Sequence, residues 1–142
     1  MPAFRAVFLM IMKNNGLCKL FFYIWTVAIL VLLLLPPGFF SGSAKRISLI
    51  PYSDKVVHFI LFGVFCFSLY LYVRSRWKSD RRKLMLLCLS VTAAYGLAGE
   101  VLQMLTNQWL QRTFSWTDFL ADVAGASVAL LVLVLAKVKT DC

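Results

Sequence analysis

The residues equipped for chemistry in this chain fall in three short groups. They are Asp54-Lys55-x-x-His58, Glu100-x-x-Gln103, and Arg112 followed by Asp118 and Asp122. Asp54 and His58 are four residues apart, as are Asp118 and Asp122, and Glu100 lies three before Gln103. On a helix each of these pairs shares a face. Carboxylates and an imidazole so placed can transfer protons, which makes His58, Glu100, Asp118 and Asp122 the candidate catalytic groups. Asp54, Lys55, Gln103 and Arg112 are the candidate ligand-binding groups, with Arg112 suited to bidentate contact with phosphate. Asp54, His58, Glu100 and Asp122 could together offer the oxygen-plus-imidazole set that suits Mg2+ or Mn2+, and less clearly Zn2+. No HExxH or comparable local motif backs a metal site, so no metal ligand is assigned and the expected cofactor is none.

The stretch "AAYGLAGEVLQMLTNQ" places Glu100 and Gln103 inside an apolar, small-residue helix pattern. That environment extends to most of the chain: 61% of residues are hydrophobic and 15% charged, against roughly 45–50% and 25% in soluble domains. A single domain of 142 residues could not hide so much apolar surface in its own core. The composition points to an all-α polytopic membrane protein. Spans of about 20 apolar residues fall at about 20–36, 56–73, 84–105 and 119–137, and no internal repeat or linker divides them. The expectation is one compact bundle of four transmembrane helices, a single domain over residues 1–142.

Orientation follows from lysine and arginine in short loops. Eleven of them, including Arg5, Lys19 and the "RSRWKSDRRK" loop, fall on one side of a four-span protein; Lys45, Arg46, Lys55 and Arg112 fall on the other. Both termini are therefore expected in the cytoplasm of a bacterial cell, with the chain in its inner membrane. The three chemical groups then meet at one depth, near the outer leaflet. At about 1.5 Å per residue, Glu100 lies only about 7–8 Å below the outer end of its span. Ionisable residues placed so normally face the bundle interior and mark functional sites. The plainer reading is polar glue, with Arg112 paired to Asp118 or Asp122 and His58 bonded to Glu100.

Gly96, Gly99 and the Ala121, Gly125, Ala129 stripe would let the helices approach closely. Ser115 or Thr117 is placed to cap the last span. The net charge of +9 sits in topology-setting clusters and carries no nucleic-acid motif. Cys18, Cys66, Cys88 and Cys142 lack metal-ligand spacing and read as inert thiols. "SGSAK" could end a signal peptide after Ala44, but the preceding apolar run is long for one, which favours a retained anchor. Transport is disfavoured, because no polar residue lies deep in the inner half.

"DKVVHFILFGVF", "YGLAGEVLQ" and "QRTFSWTDFLADVAGA", in that order, resemble the VanZ-like family of small bacterial membrane proteins over about residues 50–130. The family's Asp-Lys-x-x-His is matched by Asp54, Lys55 and His58, and its Glu-x-x-Gln by Glu100 and Gln103. Its Arg, then Asp, then Asn-x-x-Gly is matched by Arg112, Asp118, Asp122 and Gly125, with Asp122 standing where Asn is usual. That departure adds a negative charge, favouring metal binding or a shared proton. The resemblance implies a link to tolerance of the glycopeptide teicoplanin. Three functions follow: a site for an anionic membrane lipid or lipid-linked cell-envelope intermediate, a metal-dependent membrane enzyme, and a non-catalytic assembly or scaffold protein.

Overall fold

The computed structural model describes residues 15–35, 53–77, 79–106 and 114–135. Every apolar run within them is a helix: α1 (Asn15–Leu34), α2 (Ser53–Arg76), α3 (Arg81–Leu105) and α4 (Trp116–Leu135). All four are long and apolar enough to cross a membrane, and no strand occurs among the described residues. A backbone in hydrocarbon must satisfy its own polar groups, and a helix does so within one segment. Each helix begins before the apolar stretch that announces it. α2 begins at Ser53 and runs past Val73 to Arg76, and α3 begins at Arg81 rather than Leu84. α1 ends at Leu34, two residues short of the expected end, because Pro36 disfavours helical backbone in the residue before it.

The termini are set by local chemistry. Asp80 caps α3, its carboxylate accepting from the Arg82 backbone N–H. Ser115, not Thr117, caps α4: its carbonyl accepts from the Phe119 N–H and its hydroxyl from that of Asp118. Asp54 lies in the first turn of α2, and Arg74 and Arg76 in its last, each complementing the helix dipole.

α2 is the central helix. Leu61, Phe62, Phe65, Cys66, Leu69 and Tyr70 are all buried along it, while α1 exposes Leu20, Ile24, Val27 and Val31 as surface suited to lipid. The tightest approach is between α2 and α4. A Cβ added to Gly125 would run into the Phe59 carbonyl oxygen, and one added to Gly63 would lie 3.1 Å from the Gly125 carbonyl oxygen. Backbone touches backbone there, as small residues permit. Ala126 and Gly125 are buried in this contact, and Ala121 and Ala129 half-buried beside it.

Polar side chains tie the remaining helices. The Trp25 indole donates to the Leu61 carbonyl at 3.0 Å, joining α1 to α2. The Tyr95 hydroxyl donates to the Thr26 carbonyl at 2.9 Å, joining α3 to α1. Arg81 donates to the Leu133 carbonyl, closing α3 on α4 at the basic end of the bundle. Cys18, Cys66 and Cys88 are buried thiols that are not joined in a disulfide. The alternation of helices gathers the start of α2, the end of α3 and the start of α4 at the opposite end, where Asp54, Glu100, Asp118 and Asp122 lie.

Candidate functional site

Three helices each deliver one ionisable group to a single buried point. His58 comes from the second turn of α2, Glu100 from the last third of α3 and Asp122 from the second turn of α4. Their relative exposures are 3%, 2% and 1%. One nitrogen or oxygen atom from each lies within 4.8 Å of those of the other two. His58 Nδ1 is 2.9 Å from Asp122 Oδ1, and the imidazole stacks against the Phe62 ring on its own helix. Glu100 Oε2 accepts the Ser115 backbone N–H at 2.8 Å, binding the end of α3 to the cap of α4.

Packing holds these groups in place. Asp122 lies against α3 where the absence of a side chain makes room: a Cβ on Gly96 would come within 2.8 Å of Asp122 Oδ2. Gly96 precedes Glu100 by one turn, so the same helix that supplies one carboxylate makes space for the other. Glu100 Oε1 and Asp122 Oδ2 are buried and have no hydrogen-bond partner. Buried polar atoms are nearly always paired, so two unpaired carboxylate oxygens in one cluster need an explanation.

A second layer lies at the ends of the helices. Lys55 Nζ donates to Asp118 Oδ1 and to Thr117 Oγ1, both at 2.8 Å. The Lys55 side chain is about a third exposed and the Asp118 side chain much less. Atoms of Asp54 and Asp118 lie within 4.8 Å of His58 and of each other, so the imidazole stands between an outer acidic pair and an inner one. Gln103 is turned elsewhere: its amide donates to the Leu33 carbonyl of α1 at 3.0 Å.

These positions revise one pairing expected from sequence. The imidazole bonds to Asp122 rather than Glu100, because the close approach of α2 and α4 puts Asp122 beside it. Asp118 takes Lys55 as its cation. Arg112, expected to pair with Asp118 or Asp122, lies outside the described residues. The metal set is also rearranged, with Asp54 grouped with His58 and Asp118, apart from Glu100 and Asp122. Gly96 and the Ser115 backbone were not among the expected site residues. The glycine four residues before Glu100 and the Ser-x-x-Asp cap were the available signals.

The chain matches the family model described as VanZ/LLP1 over residues 4–137. No curated protein and no solved structure matches it. The match takes in the peripheral first helix as well as the three that carry the polar cluster. With four membrane-spanning helices and a family match over nearly its whole length, the chain belongs to the VanZ/LLP1 family of membrane proteins.

Proposed function

We propose that this protein binds, and prepares for reaction, an anionic lipid headgroup or a lipid-linked cell-envelope intermediate. The site is the polar end of the bundle, at the outer leaflet of the bacterial cytoplasmic membrane, with both termini inside. The observation that carries the reading is the pair of buried carboxylate oxygens, on Glu100 and Asp122, left without partners beside His58. A polar residue that only fastens helices finds its partner within the bundle, as the Gln103 amide does in the Leu33 carbonyl. Unsatisfied groups at a membrane-embedded site suit a ligand better than glue.

Lys55, partly exposed at the rim, supplies positive charge for the headgroup. Arg112 falls between α3 and α4 in the sequence, and its planar fork suits a phosphate. His58, Glu100, Asp118 and Asp122 are the groups that would move protons on the bound headgroup. A scaffold role is the second reading, favoured by the Lys55–Asp118 and Gln103–Leu33 ties between helices.

Native mass spectrometry of the detergent-purified protein tests the proposal. The wild type should retain an anionic lipid that Arg112→Ala loses, and expression of the wild type alone should raise teicoplanin tolerance in a sensitive host. No lipid on the wild type, or the same lipid on both proteins, would leave the scaffold reading standing.

A further inference from the structure

Four of the chain's six acidic residues, Asp54, Glu100, Asp118 and Asp122, collect at the end of the bundle proposed to hold an anion. Lys55 balances Asp118 at 2.8 Å. Ionised together, Glu100 and Asp122 would place two negative charges beside His58 in a buried layer. A buried charge that is neither paired nor coordinated is expensive. One divalent cation would cancel these two charges and supply a partner for the oxygens that have none. We infer that His58, Glu100 and Asp122 form a binding site for a single divalent transition-metal ion of the Mn2+ or Zn2+ class.

The donor set and its geometry support this. One imidazole nitrogen and two carboxylates suit Mn2+ by their oxygens and Zn2+ by their nitrogen. Three protein ligands leave a coordination position for water or an outside oxygen, as at reactive metal sites rather than purely structural ones. Ligand atoms around a four-coordinate ion with bonds of about 2.1 Å stand about 3.4 Å apart. The three groups already lie within 4.8 Å of one another, close to that spacing. Glu100 is steadied by the Ser115 N–H and Asp122 is packed on Gly96, so both carboxylates have a neighbour fixing their orientation.

The outer group of Asp54, His58 and Asp118 is the weaker contender. Asp54 is exposed, and Asp118 already has an ammonium against it. The inner site draws one ligand from each of α2, α3 and α4. It also deepens the proposed function: an ion bound by acidic side chains can take a phosphate oxygen at its open position, bridging like charges. That last step alone rests on the lipid reading.

The test uses the full chain in lipid-free detergent, stripped with a chelator and then given Mn2+ or Zn2+. Elemental analysis after desalting should find one ion per chain. Glu100→Gln and Asp122→Asn should each weaken binding by at least about tenfold while melting like the ion-free wild type. Asp54→Asn should bind as the wild type does. Pulsed electron paramagnetic resonance of the Mn2+-loaded wild type should show coupling to one imidazole nitrogen. This spectrum needs no variant, so it decides the role of His58 even if a substitution prevents folding. Absence of a stoichiometric ion, absence of nitrogen coupling, or loss of the ion in Asp54→Asn alone would overturn the inference. Lipid retention is read separately: an ion without lipid sinks the proposed function and leaves the metal site, and lipid without an ion does the reverse.

Discussion

Lys55 and Asp118 show how far a single pair can be read from its surroundings. The ammonium is partly exposed and the carboxylate largely buried, so the two residues do not bear the contact equally. Lys55→Met removes the cation and strands a carboxylate among helices, which should lower stability by about 1–3 kcal/mol. Asp118→Asn should cost less, because the amide keeps a hydrogen bond and the freed lysine can reach water. In the double variant the stranded charge is gone, and part of the loss should return. Detergent melting of the two single variants and the double variant forms a complete cycle. A double variant no more stable than Lys55→Met would mean that Asp118 is held by Ser115 and the start of α4 rather than by Lys55. Most of this residue scale was legible in the sequence, since four-residue spacing put Asp118 and Asp122 on one face. Which partner each would take was not, because it depends on the separation of α2 and α4.

That separation belongs to the helices, and two glycines measure it. Gly125 and Gly99 both lie in helices and are both buried, yet an added methyl would meet very different obstacles. At Gly125 the obstacle is the α2 backbone at Phe59, with its carbonyl carbon 2.9 Å from the new Cβ. At Gly99 it is the end of the Leu33 side chain, also 2.9 Å away but free to rotate. Helix propensity favours alanine over glycine by about 1 kcal/mol at either position. Gly125→Ala should nonetheless destabilise the protein by about 1–3 kcal/mol, since the helices must part. Gly99→Ala should be neutral or slightly stabilising. Because His58 and Asp122 face each other across the same α2–α4 contact, Gly125→Ala should also weaken ion binding. Equal melting temperatures for the two variants would show that the close approach is soft. The small-residue stripe announced an interface on α4, but only the fold identifies Phe59 as the group it meets.

Across the whole molecule, charge is sorted between two ends. Arg74, Arg76, Arg81, Arg82 and Lys83 flank the α2–α3 connection, while Asp54, Glu100, Asp118 and Asp122 lie toward the other end. The four helices and their alternating course were readable from hydropathy, because the bilayer fixes the length and self-sufficiency of each span. Their in-plane arrangement was not, since lipid-facing and core-facing apolar residues look alike in a sequence. α1 shows this, with exposed Ile24 and Val27 as apolar as buried Ile29 and Leu33. Orientation is a separate matter, because nothing in a bundle says which end faces the cytoplasm. The basic connection carries the expectation: lysines and arginines in short loops resist translocation, and the excess here is eleven against four. Reporter fusions after residue 78 and after residue 110 should therefore give opposite signals. A cytoplasm-active reporter should work at the first site, and one active only outside should work at the second. The reverse pattern would carry the acidic cluster to the inner leaflet. The ion site would survive that result, since it depends on three helices meeting and not on which side they meet. The proposed outer-leaflet ligand would not.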